Sequence, residues 1–258
     1  MKGGKRPLGY TIVEVMIVLA VSGVMFVIAA NFISGKQQRT AFTAGSNEFA
    51  TQVQTVATQV IDGQFSDVAF GCSAVAGSPQ LSITAVGERG QNPQCVFLGK
   101  FIHLVVGAGN KNTYEVFSIA GARTATSLAA AKATPIVDGN DLTLQKRVPQ
   151  SLEIEKVQIT KGGSTFDSYG VGFIQNLTAD GGFASGGNSV SLVYSPGLNS
   201  SVKSKPDATA AITNNLVEAD AATICVTDGT RYAKILLGNT SPSAAKLSVK
   251  LKVTPSCS

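Results

Sequence analysis

Glu14 is a carboxylate at the head of an apolar run, because residues 15–35 carry no charge. Near a bilayer centre such a group costs about 2–3 kcal/mol. It therefore asks for a cationic partner, since an ammonium and a carboxylate in low dielectric must pair or bear a heavy desolvation cost. The cysteines are the second group with chemistry in them. Cys72, Cys95, Cys225 and Cys257 all lie beyond the apolar run, with no Cys-x-x-Cys spacing, and the chain has one histidine. That inventory supplies no zinc set. An even count in an exported chain favours disulfides instead. Three connectivities exist. Proximity along the chain pairs Cys72 with Cys95 and Cys225 with Cys257, each loop contributing about 3–4 kcal/mol in the chain-entropy model. Four buried free thiols are the alternative.

Nothing else has the spacing of a catalytic or cofactor-binding apparatus. The chain lacks Gly-x-Ser-x-Gly, His-Glu-x-x-His and the phosphate-loop pattern, and Gly107-Ala108-Gly109 has no third glycine. The sequence thus predicts no enzyme, no cofactor and no resident metal. His103, within Phe101-Ile102-His103-Leu104, reads as a strand residue with a local partner. Asp138, Asn140 and Asp141 offer calcium-type oxygens, which a solvated acidic loop explains more simply. Among the basic residues, Lys246, Lys250 and Lys252 alternate along one stretch, and Arg231 and Lys234 lie shortly before it. Together they form a candidate DNA-contacting patch, recognisable by a steep salt dependence. A lysine face guarding a sheet edge is the simpler account.

The elements that must carry these residues follow from composition and periodicity. With 258 residues, 44% hydrophobic and 14% charged, the chain can close a sizeable core and is neither a disordered tail nor collagen-like. The net charge of +5 leans on Lys2, Lys5 and Arg6, and without those three 18 basic residues face 16 acidic ones. A helix over 15–35 is about 32 Å long, enough to cross a hydrocarbon layer. The basic residues ahead of it place the N-terminus in the cytoplasm and the rest outside. A cleaved signal peptide fits the basic start, but the run exceeds the usual 7–15 residues and no A-x-A site ends it. A plain anchor leaves Glu14 without a partner.

Helical periodicity continues past the apolar run. Phe42, Phe49, Val53, Val56 and Val60 make one stripe, opposite Gln38, Arg39, Gln52, Gln54 and Gln59, and Asp62-Gly63 supplies a stop. One helix from Tyr10 to Ile61 would be about 75–80 Å long. Beyond it the signals are those of strands: 81–86, 95–106, 114–119, 152–159, 190–194, and 222–226 with 231–237 around Asp228-Gly229. In the last strand, 246–253, Leu247, Val249, Leu251 and Val253 are expected to face in and the lysines out. Residues 125–133 read as a short helix and 196–215 as a long surface loop.

Gly9-Tyr10-Thr11-Ile12-Val13-Glu14, after the short basic leader, resembles the processing site of type IV prepilins and pseudopilins. The resemblance implies a membrane peptidase that cuts between Gly9 and Tyr10 and methylates the new amine of Tyr10. It also supplies a partner for Glu14, which in this family is thought to neutralise the N-terminal amine of a neighbouring subunit. The implied fold is α+β and pilin-like: a leader at 1–9, a transmembrane assembly helix at 10–35, its amphipathic half at 36–62, and an exported antiparallel β-sheet domain at 63–258. Implied partners are other pilin subunits, the prepilin peptidase and an inner-membrane assembly platform. The implied location is the cytoplasmic membrane as a single-pass precursor, then a surface pilus or a periplasmic pseudopilus.

Many major pilins carry a helix-breaking proline in mid-span. Its absence between Pro7 and Pro79 suits a minor pilin or pseudopilin. The stretch Ile224–Leu237 is similar to the C-terminal hairpin of the pseudopilin-H/FimT class of minor pilins, and a Cys225–Cys257 bond would tie the chain end to it as in many pilins. The expected function is a structural, minor subunit of a type IV pilus or related filament. The alternatives are a type II secretion pseudopilin, or a filament-borne DNA-binding or adhesive module.

Overall fold

The computed structural model describes residues 11–63, 73–75, 78–80, 95–104, 111–123, 125–136, 144–175, 190–199, 205–213, 215–239 and 247–257. The chain divides into two compact units, Met1–Thr43 and Ala44–Ser258. Helix α1 (Ile12–Ile61) contributes to both. In the first unit α1 begins at a cap, where Thr11 Oγ1 accepts from the Glu14 N–H at 3.3 Å. Thr-x-x-Glu is the spacing of a capping box. The span Ile12–Ala29 is apolar and long enough to cross a membrane, and none of it is buried.

In the second unit α1 packs one face inward. Phe49, Val53, Val56 and Val60 are buried, each contributing about 1.5–3 kcal/mol. Asp62 and Gly63 end the helix, with the Gly63 N–H donating to the Val60 carbonyl at 3.1 Å. Gln175 Nε2 donates to the same oxygen at 2.7 Å, satisfying a carbonyl that the helix end would leave bare.

The remainder is β-rich. A ribbon of β1 (Ser73–Val75) and β2 (Ser78–Gln80) comes first, then β3 (Cys95–Leu104) and β4 (Thr113–Ala122). After α2 (Leu128–Ala131), β5 (Thr134–Pro135) and β6 (Leu144–Arg147), a 3-10 turn at Pro149–Ser151 leads to β7 (Glu153–Lys161), β8 (Ser164–Ser168), β9 (Gly170–Gln175) and β10 (Val190–Tyr194). Then come α3 (Lys205–Ile212), β11 (Val217–Ala219), β12 (Ala221–Thr227), β13 (Tyr232–Asn239) and β14 (Leu247–Thr254). One sheet runs β11-β10-β9-β3-β4-β5, with β6 also on β4, and a second runs β14-β13-β12-β7-β8. The described strand pairs are antiparallel throughout. The fold is α+β, a long N-terminal helix with antiparallel sheets.

The larger sheet is apolar on both faces. Toward α1, Tyr114 meets Phe49 edge-on with centroids 5.4 Å apart, and its hydroxyl donates to Gln52 Oε1 at 2.7 Å. Toward α2 and α3, Phe101, Phe117, Ile119 and Ile174 pack with Ala131, Ala208 and Ile212. Glycine is required where α1 passes the 3-10 turn, because a Cβ at Gly45 would stand 2.9 Å from Gln150 Cβ.

Two expectations meet a different outcome, and a third lies outside the described residues. Residues 196–215 are not all loop, since α3 lies within them. The strand expected at 81–86 falls outside the described residues. Val253 lies on the same side of β14 as Val249 and Leu251, opposite buried Ala233, yet it is 59% exposed rather than buried, because β14 is the last strand of its sheet.

Candidate functional site

At the N-terminus, Gly9 and Tyr10 lie outside the described residues, and Glu14 stands exposed in the first turn of α1. A carboxylate there complements the positive end of the helix dipole. Thirteen large apolar side chains from Ile12 to Ile28 stand exposed around and beyond it.

The second site is the polar face of the smaller sheet. Register sets Lys156 opposite Cys225, Cys225 opposite Lys234, and Lys234 opposite Lys252. The three lysines therefore form a row across four strands with Cys225 inside it. Lys250 lies two residues along β14 on the same face, opposite Leu236. Lys156 pairs with Asp167 at 3.2 Å. Of the residues expected in a basic patch, Lys234, Lys250 and Lys252 come together. Lys246 lies outside the described residues, and Arg231 sits at the turn with Nη1 3.9 Å from Asp228 Oδ2. Lys156 is the member sequence reasoning missed. Its place depends on β7 pairing with β12, and on the register shift between Cys225 and Val226, for which the sequence has no local signal.

Cys225 and Cys257 are joined by a disulfide, Cα–Cα 5.9 Å. The chain end thus crosses β13, which separates β14 from β12. Cys95 is also disulfide-bonded, while Cys72 lies outside the described residues, as do Asp138, Asn140 and Asp141. His103 is buried in β3, its Nδ1 3.2 Å from Glu115 Oε2 across the strand pair.

Among the described residues three ionisable groups are shifted, and each has a structural cause. Burial, then the charge of Glu48, pushes the Tyr114 hydroxyl up to about 12. Burial, then the charge of Lys146, lowers Lys100, whose Nζ donates to Gln59 Oε1 at 2.6 Å. Burial raises Asp228, but hydrogen bonds from Thr230 and Arg231 and the Arg231 charge outweigh it and hold the carboxyl low. A cavity of about 400 Å³ beside β9 and β10 is rimmed by hydroxyls, Gln175 and Glu218. The three shifted groups do not line it.

Residues 4–30 match the family model of the prokaryotic N-terminal methylation motif. Together with the apolar helix that follows, this motif fits a type IV pilin-like prepilin. It supports a pilin-like or pseudopilin protein, assembling with other pilin subunits after prepilin-peptidase processing, and it is a structural rather than an enzymatic motif. Motif and helix are consistent with a membrane-anchored precursor. No curated protein and no solved structure matches the chain.

Proposed function

We propose that the chain is a structural, minor subunit of a type IV pilus or a related filament. The peptidase cuts between Gly9 and Tyr10, the Tyr10 amine is methylated, and residues 63–258 lie outside the cytoplasmic membrane. Residues 10–35 then serve first as membrane span and later as assembly helix, with 36–62 as its amphipathic continuation.

One observation carries this reading: the thirteen exposed apolar side chains between Ile12 and Ile28. At about 1.5–3 kcal/mol each, their burial is on the order of 20–40 kcal/mol. The first unit does not bury them itself, so a bilayer or the helices of other subunits must. Inside such a bundle Glu14 needs a cation, and the amine of a neighbouring Tyr10 supplies one and fixes axial register. Glu14→Ala is expected to be exported and processed normally yet to be missing from sheared filaments. Normal incorporation of that variant would contradict the register role.

The lysine row favours a second reading, in which the exported unit contacts DNA. A duplex titration at two salt concentrations tests it, since affinity should fall with a log–log slope of about −0.9 per phosphate neutralised. Weak, salt-insensitive binding removes it.

A further inference from the structure

Among the described residues, no strand pairs with the outer side of β14, so a row of backbone donors and acceptors stands open there. This edge carries exposed lysines on one face but lacks the other usual protections. It stays in register with β13 for eight consecutive pairs, Tyr232↔Thr254 to Asn239↔Leu247, without bulge or proline. Its C-terminal end is tied down by the bond from Cys257 to Cys225, two strands away. Val253, 59% exposed, is the one large hydrophobic side chain beyond α1 so exposed among the described residues. Val249 and Leu251 are half-buried on the same face, whereas Lys250 and Lys252 are exposed on the other.

We infer that β14 is a docking strand for an extended acidic segment of a partner protein, which adds to the sheet as its sixth strand. Main-chain hydrogen bonds would supply the affinity and the alternating side chains the selectivity. In adjacent strands, facing side chains stand about 4.5–5.5 Å apart at Cβ. Alternate carboxylates therefore come within reach of Lys250 and Lys252, while the residues between them cover Val253 and Leu251. The same spacing disfavours a second copy of this chain, because pairing β14 with β14 sets lysines beside lysines. The lysines thus act as a selector, repelling copies of the chain and admitting an acidic strand.

The test uses the full chain in detergent micelles, so its outcome does not depend on polymerisation. A fluorescein-labelled peptide of sequence Thr-Glu-Val-Glu-Val-Thr is titrated by anisotropy. Its Lys-for-Glu counterpart, and versions N-methylated at alternate residues in either register, are titrated beside it. The acidic peptide is expected to bind and the basic one not to. Lys250→Glu with Lys252→Glu should weaken the acidic peptide about tenfold, the scale of two cross-strand ion pairs, and admit the basic one. One N-methylated version should lose binding altogether. Retention of the Cys225–Cys257 bond and of near-ultraviolet dichroism checks that the variant is folded. Equal binding by both N-methylated peptides would show charge contact without strand addition and overturn the proposal. So would acidic-peptide binding that the charge reversal leaves unchanged, absence of peptide binding, or peptide binding fully displaced by duplex DNA but indifferent to N-methylation.

Discussion

Asp228 shows how much one side chain decides at the tip of the β12–β13 hairpin. Its Oδ1 accepts from the Thr230 N–H at 2.9 Å, the Thr230 hydroxyl at 2.9 Å and the Arg231 N–H at 2.7 Å. Gly229 takes the turn at φ 88°, where a side chain would be strained. The dipeptide Asp228-Gly229 was legible as a turn, but the loop is wider than two residues: Thr227 pairs with Tyr232, so four residues span it. Because the folded carboxyl is held below its usual range, Asp228 contributes stability that is present above about pH 4 and lost as pH falls through the depressed value. Asp228→Asn should lower the melting temperature at pH 7 and flatten its decline between about pH 4 and 2, measured by thermal melts of the two proteins. At the other end of the scale, Tyr114 is raised to about 12. Its contribution is complete below about pH 10 and lost as pH rises towards 12. Tyr114→Phe leaves Gln52 without this donor, and denaturant titration should show a cost of about 1 kcal/mol.

The helix and most strands were legible because their signals are local. The stripe Phe49, Val53, Val56, Val60 at helical spacing is the buried face of α1, and Phe49→Ala should cost about 3–5 kcal/mol in the same titration. α3 was misread for an identifiable reason. Pro206 suggested a loop, yet it is the second residue of the helix, where a missing N–H costs nothing. β9 was missed because Gly170 and Gly172 weaken a strand pattern. The structure needs them small, since a Cβ at Gly172 would stand 2.7 Å from Phe101 Cδ2. Strand order was not legible at all. β3 lies beside β9, and β7 beside β12, and no local pattern encodes such distant pairings. The lysine row exists only through that order. The Cys225–Cys257 bond closes a separation of 32 residues, so replacing both cysteines with serine should cost about 3–4 kcal/mol in the chain-entropy model. Equal melting temperatures for that variant and the parent would contradict a structural role.

For the whole molecule, the N-terminal methylation motif was the most legible feature, because it occupies one contiguous stretch, residues 4–30. What the second unit touches is far less legible, since its surface is assembled from strands distant in sequence. The two units also place opposite demands on their surroundings. Ala44–Ser258 closes its own core, whereas the apolar start of α1 leaves its side chains exposed. A chain built this way is stable in water only after its first helix has found a bilayer or other helices. Polymerisation through that helix is the central claim. The most direct measurement is to shear cells, pellet the released filaments, and determine this protein's N-terminus by mass spectrometry in both pellet and membranes. The account predicts chains in the pellet that begin at a methylated Tyr10. Chains that still begin at Met1 and remain wholly with the membranes would contradict it.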